Sequence, residues 1–368
     1  MNRGIIIVLV GIIALGLLAL YALQQGPVLL LRPPPDDRIA FISDRGGAAD
    51  ICTMRADGTD ARQVTNDSAQ DQIPAWSPDG KEIVSISDRN GQVYQVFISA
   101  WDGRYTHCIT SSEGTKDAPV WSRDGKEISF VSGGKVYGVL RTGGPEEQYL
   151  PAVGSVGVEL PGRTTYVYAA WSPDGKSLLY VQETDQGRQA YVADRSAVES
   201  GEEFKPTGIT AAHSLTAAWA PSDNRVAGAF IDRANDNGIV VVDLEAVKAE
   251  DLFALKNSRL GPGKFVWSPD GKTIAFEMWT VEDAIPNRSV GIYAVSASGG
   301  EPRPVVKGDV REPTWSPDGR QIAYTAIGKK EMRDIHRVNA DGTGDVNLTN
   351  GRGDNYSPAW CPVPRKGT

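Results

Sequence analysis

The sequence predicts an all-β fold: a β-propeller of seven four-stranded antiparallel sheets, preceded by a single N-terminal transmembrane helix. Three observations carry that prediction. Seven of the nine tryptophans recur in one phrase at near-constant spacing, each interval holds the same succession of short β runs and Gly turns, and the 368-residue chain opens on a long uncharged apolar run. Composition points the same way, with 40 Gly and 23 Pro for many turns and 12 Tyr beside the 9 Trp. At 40% hydrophobic and 23% charged the chain is of ordinary globular type.

Taken in order, residues 1–3 form a short cytoplasmic end and residues 4–24 the expected membrane anchor. No charged residue occurs from Gly4 to Leu31, and Ile5–Leu23 is a run of 19 apolar residues. At about 1.5 Å per helical residue it nearly matches a hydrocarbon core of about 30 Å. The run exceeds the roughly 7–15 apolar residues of a secretory leader, and no small-x-small cleavage site follows it. An uncleaved anchor is therefore expected. Residues 25–37 include Pro33-Pro34-Pro35 and read as a stiff, extended linker.

The soluble domain spans residues 38–362 by the same reading. Its ruler is Trp76-Ser77-Pro78-Asp79-Gly80, repeated at Trp121, Trp171, Trp267 and Trp315, with a worn copy at Trp219-Ala220-Pro221 and an ending at Trp360-Cys361-Pro362. Gaps between successive Trp are 45, 50, 48, 48, 48 and 45 residues. After each Asp-Gly turn comes a β run such as Ile83–Ser87 or Ile274–Met278, then hairpin residues such as Asp88-Arg89-Asn90-Gly91, then a second strand. A second Gly turn follows in six of seven units, Gly201 among them, and a third short strand leads back to Trp. Four short strands per unit of about 45 residues is the propeller period. The domain opens mid-unit at Arg38 and ends on a Trp strand, so Tyr356–Trp360 is expected to complete the first blade. Six blades is the alternative, should the worn fourth unit be an insertion.

These residues resemble the TolB-type propeller repeat, a Pro-x-Trp-Ser-Pro-Asp-Gly-Lys-x-Ile-Ala-Phe phrase. The Ser-Asp-Arg turn that follows it in that family is matched by Ser43-Asp44-Arg45 and Ser87-Asp88-Arg89. The resemblance covers nearly the whole soluble part. With the acidic balance of the domain, it implies a propeller anchored in the inner membrane of a bacterium on the periplasmic side, holding a protein partner in the cell envelope. Related propellers also occur joined to peptidase domains, so a propeller-type hydrolase or lyase, or a peptide- or glycan-binding sensor, is the alternative. No Gly-x-Ser-x-Gly nucleophile elbow occurs in the sequence.

Charge and motifs narrow the chemistry. Beyond residue 35 the chain carries 36 basic against 46 acidic residues, a balance that repels phosphate backbones, so no nucleic-acid partner is expected. Three His on separate units give no convergent metal set, and neither cofactor, metal nor catalytic residue is expected. Asp57-Gly58 and Asp341-Gly342 read as turns rather than calcium loops, Arg352-Gly353-Asp354 likewise as a turn, and Cys52, Cys108 and Cys361 as small hydrophobes. Binding residues are sought where units differ most, just before each Trp strand. The candidates at the channel mouth are Asp71, Gln72, Lys116, Asp117, Arg311, Asn355 and Tyr356, with Trp76, Trp121, Trp171, Trp219, Trp267, Trp315 and Trp360 reserved for packing between blades.

Overall fold

The computed structural model describes residues 37–362, apart from residues 92, 151–164, 185–186, 201–206, 209–212, 232–236, 247, 256–259, 283–284 and 329–330. The expected anchor at 4–24 and all of the linker but its last residue lie outside the described residues. Among those described, no helix is long and apolar enough to cross a membrane.

Seven four-stranded antiparallel sheets form the ring. Blade 1 runs, from inner to outer strand, Asn355–Trp360, Arg38–Ser43, Asp50–Arg55 and Arg62–Gln63. The inner strands of blades 2 to 7 are Asp71–Trp76, Lys116–Trp121, Thr165–Trp171, His213–Trp219, Leu260–Trp267 and Val310–Trp315. Their second strands are Glu82–Ser87, Glu127–Ser132, Ser177–Thr184, Arg225–Ile231, Thr273–Glu282 and Gln321–Ile327. The worn unit around Trp219 forms a full blade, which excludes the six-bladed alternative. Closure is as expected, with Ile39 paired to Trp360 and Ser43 to Asn355 across the two chain ends of the ring.

Each inner strand begins at one end of the channel, here called the mouth, and ends in Trp at the other, the base. The ruler's Ser, Asp and Gly build the turn at the base. In blade 2 the Ser77 hydroxyl donates to Asp79 Oδ1 at 2.6 Å, the Lys81 amide donates to the same oxygen at 3.2 Å, and Gly80 takes a φ of 66°. Ser122–Asp124, Ser172–Asp174, Ser268–Asp270 and Ser316–Asp318 repeat the hydroxyl bond at 2.6–2.8 Å. Such a side-chain-closed turn needs Ser and Asp at this spacing and a residue free to adopt positive φ, and so the phrase recurs.

Trp is retained because it packs between blades and bonds across them. Five indole N–H groups donate to the carbonyl just before the preceding blade's Trp: Trp76 to Ala359 (2.9 Å), Trp121 to Ala75 (3.1 Å), Trp219 to Ala170 (2.9 Å), Trp267 to Ala218 (3.3 Å) and Trp315 to Val266 (3.2 Å). Trp360 donates instead to Asp37 Oδ1, and the buried indole nitrogen of Trp171 has no partner. The rings join apolar clusters drawn from two blades, as where Trp76 and Ile83 of blade 2 meet Ala40, Ile42 and Ile51 of blade 1.

Two features depart from the sequence reading. A short helix, α1 (Arg195–Ser200), follows the third strand of blade 4 where a Gly turn is expected, while Gly201 itself lies outside the described residues. Four inner strands carry a non-glycine residue in the left-handed region directly before proline: Ile73 (φ 55°), Ala118 (47°), Glu312 (58°) and Ser357 (53°). Each sits at a register shift in its strand's pairing. Pro supplies no amide there, and the bulge turns the strand toward the channel at a cost of about 1–3 kcal/mol per residue.

The cysteines are free thiols. Cys52 and Cys361 are buried, and burial pushes the Cys52 thiol up to about 12. Asp57 and Asp341 close local turns by accepting from the amides and hydroxyls of Thr59 and Thr343.

Candidate functional site

Bulges at the mouth decide which predicted residues reach solvent. In blades 2, 3 and 1 the first residue of the inner strand turns inward: Asp71, Lys116 and Asn355 are each 0% exposed. They brace the mouth loops, and this burial removes them from any surface a partner could touch. Asp71 accepts from the guanidinium of Arg89 at 2.8 and 3.0 Å, while Arg89 Nε also donates to Ser87 at 3.0 Å. The parallel turn in blade 1 has Arg45 donating to Ser43 (2.9 Å) and to Asn355 Oδ1 (3.0 Å). The Ser-Asp-Arg motif is thus a brace between the second strand and the inner strand of one blade. In blade 3, which lacks that Arg, the Lys116 ammonium donates to the carbonyls of Ser112, Glu113 and Gly114 at 2.8–3.0 Å. Burial holds its pKa below the ordinary lysine value.

One residue further on, Gln72, Asp117, Arg311 and Tyr356 all reach solvent. They occupy the same position in the inner strands of blades 2, 3, 7 and 1, an arc of four consecutive blades. Gln72 is turned to Tyr94, whose hydroxyl accepts from it at 2.9 Å, and Asp117 caps the Ala118 amide at 2.7 Å.

Around Arg311 and Tyr356 lies a cluster that the sequence reading missed. The Arg311 guanidinium sits 5.1 Å from the ring centroid of Trp279 in blade 6, and that of Arg333 sits 3.6 Å from the ring of Tyr356. Arg333 also chelates Asp354, with Nε 3.0 Å from both carboxylate oxygens. This pairing keeps Asp354 below the usual carboxylate range, and it gives Arg352-Gly353-Asp354 a structural duty in its turn.

Beneath the stacks, a chain of hydrogen bonds ties three blades together. Glu312 of blade 7 accepts from the Ser357 amide and hydroxyl of blade 1 and from Thr325, all at 2.8 Å. Its own amide donates to Glu277 of blade 6 at 2.6 Å, and the other Glu277 oxygen accepts from the Trp279 indole at 2.8 Å. Burial raises the Glu277 pKa. Gly263 of the blade 6 inner strand admits the indole, since a Cβ there would collide with it. A sequence signal for the cluster existed. Glu277 stands where the other second strands carry Ile42, Ile86, Val131, Val181, Ala229 and Thr325, and Trp279 is one of two Trp off the ruler.

Both carboxylates are engaged in cross-blade hydrogen bonds. What remains available is two guanidinium–aromatic stacks on adjacent blades, with the Arg311 side chain 41% exposed. That pairing suits planar amide, carboxylate or aromatic groups. His107 lies on the outer strand of blade 2 and His336 on the third strand of blade 7, its Nδ1 3.2 Å from Asp345 Oδ1. No three His, Cys, Asp or Glu among the described residues are grouped to hold a metal ion.

Ring, ruler and mouth together define a repeat propeller with a polar–aromatic rim. The TolB beta propeller domain family matches residues 32–146 and 160–365, and the chain belongs to it. Among solved structures, TolB from Acinetobacter baumannii is similar with a TM-score of 0.57 at 18% identity, over 94% of this chain and 70% of that one. A functionally unknown protein from Desulfotomaculum acetoxidans gives 0.57 at 12% identity, over 90% of this chain and 100% of that one. A puromycin-hydrolyzing peptidase of Mycobacterium tuberculosis gives 0.56 at 13% identity, over 76% of this chain but 45% of that one. At such identities the likeness concerns the fold. No curated protein sequence matches the chain.

Proposed function

We propose that the chain is a membrane-anchored propeller of the bacterial cell envelope that holds a protein partner at its channel mouth, across blades 6, 7 and 1. The observation that carries the reading is the pair of stacks, Arg311 on Trp279 and Arg333 on Tyr356. Arg, Trp and Tyr are the residue types on which interface energy concentrates, and here they sit on a rim stiffened by the Glu277–Glu312–Ser357 hydrogen bonds. A preorganised rim lowers the ordering cost of association. Replacing both Arg311 and Tyr356 by Ala is expected to weaken partner capture from envelope extract at least thirtyfold, since truncation at such positions commonly costs about 2 kcal/mol or more. Thermal stability should stay nearly constant. Full retention of every captured partner by the double variant would refute this face as the site, and turnover of a hydrolase or lyase substrate would favour the enzyme reading.

The uncharged segment at 4–31 supports the membrane half of the proposal. External protease on spheroplasts should digest the propeller, and alkaline carbonate should leave the chain in the membrane fraction. Protection from protease, or a mature N-terminus near Gln24, would overturn the orientation or the anchor.

A further inference from the structure

At the base of the ring the seams between blades are built on one plan. In all seven blades the residue after the third strand donates its amide to the carbonyl of the residue before the second strand, as Arg141 does to Lys126, Arg195 to Lys176 and Leu244 to Asn224. In blades 2, 3 and 4 that residue meets the first residue of the preceding blade's second strand. Where a charged pair falls at this level the seam is plugged: Arg141 meets Glu82 at 2.6 Å between blades 2 and 3, and Arg195 meets Glu127 at 3.1 Å between blades 3 and 4. Between blades 1 and 2 the Arg38 guanidinium lies 5.1 Å from the Trp101 ring, and between blades 5 and 6 Arg225 reaches Gly271 O at 3.2 Å.

Between blades 4 and 5 the two positions hold Ser177 and Leu244, and among the described residues no charged pair falls at this level. A cavity of about 530 Å³ opens there, within the range of roughly 300–1,000 Å³ that holds small ligands. Its floor is apolar, with Ala193 (3% exposed) and Val242 (8%) beside Leu244. The rim is acidic, with Asp194 on the blade 4 wall and Asp243 and Glu245 on the blade 5 wall. The lining lysine among the described residues, Lys248, is paired to Glu250, and the neighbouring Arg195 is turned to Glu127 and Glu199. Asp243 accepts from the Glu245 and Ala246 amides and Glu245 from Asn224, which fixes the wall without neutralising it.

The geometry points to a binding site for an aliphatic di- or polyamine at the blade 4–5 seam, with methylenes on the floor and ammonium groups at the carboxylates of the two walls. An alcohol of the same length would lose the charge complementarity, and an anion would be repelled. The site lies at the end of the ring away from Arg311 and Tyr356, so it stands or falls independently of the mouth.

Isothermal titration of the full chain with spermidine tests the assignment, with 1,5-diaminopentane and 1,5-pentanediol as a matched pair. One saturable site is expected, with the diol at least tenfold weaker than the diamine. Asp194→Asn with Glu245→Gln should weaken spermidine binding at least tenfold. Ser177→Glu with Leu244→Arg copies the plug of the blade 2–3 seam, leaves net charge unchanged, and should abolish binding at an unaltered thermal midpoint. Arg311→Ala with Tyr356→Ala should leave binding intact. Absence of saturable binding, equal affinity for the diol, or unchanged affinity in the Asp194→Asn, Glu245→Gln variant would overturn the assignment. The last outcome would assign the effect to diffuse surface charge, and it holds whether or not the plugged variant folds.

Discussion

Deleting residues 354–368 is expected to abolish cooperative unfolding of the propeller. The deletion removes the inner strand of blade 1, and with it the pairing of Ile39 to Trp360, Ala40 to Ala359, Ile42 to Tyr356 and Ser43 to Asn355. Four further losses follow from the same cut. The Trp76 indole loses its acceptor at Ala359, Arg38 O loses the Cys361 amide, Arg333 loses Asp354, and Glu312 keeps only Thr325 of its three donors. Removing one buried aromatic side chain costs about 3–5 kcal/mol, and a half-buried carboxylate stripped of two of its three donors adds more. A whole domain holds together by only about 5–15 kcal/mol, so these losses together exceed the reserve. The unpaired edge of Arg38–Ser43 would also invite association. A melt followed by far-UV circular dichroism, with sedimentation to follow association, measures the effect. A truncated chain melting like its parent would show that closure contributes little.

Much of this ring was legible in the sequence because the repeat encodes local rules. Ser, Asp and Gly close a turn among themselves, and Trp marks the strand before it, so blade count and closure follow from spacing. The mouth was less legible, for a backbone reason. Alternation along Asp71–Trp76 fails at Ile73, where positive φ before Pro74 shifts the register, so of the two residues assigned to the mouth Asp71 is buried and Gln72 half-buried. Lys116 shows the same reversal, since a charged residue at a variable position reads as exposed until three carbonyls are found around it. Arg311 and Tyr356 were among the candidates, but Trp279 and Glu277 were not. Their significance lies in a contact between blades 6 and 7 that no single repeat contains. The open seam between blades 4 and 5 escaped for the same reason, because Ser177 and Leu244 mean nothing until they are placed opposite each other.

Replacing Trp267 by Ala should destabilise the domain by about 3–5 kcal/mol, in the upper part of that range. Trp267 is 9% exposed, and its ring lies in a cluster that joins Phe265, Ile274 and Phe276 of blade 6 to Ala220, Ala227, Ala229 and Ile239 of blade 5. Three of the seven blade 5 members of the cluster are alanines, which have no length with which to collapse into the space, so part of the cavity would persist. The substitution also removes the donor to Ala218 O at 3.3 Å and the face on which the Arg225 guanidinium rests at 5.2 Å. A lost hydrogen bond of this kind contributes about 1 kcal/mol, and a cation–π contact about 0.5–1 kcal/mol at a partly exposed site. Trp267→Phe keeps the ring but not the donor, and should lose less than half as much. Urea titration separates the two variants through their midpoints at an unchanged slope, since the surface exposed on unfolding is nearly the same. A midpoint for Trp267→Ala within error of the parent would mean that the seam between blades 5 and 6 repacks around small residues, and that the ruler's Trp serves the turn rather than the core.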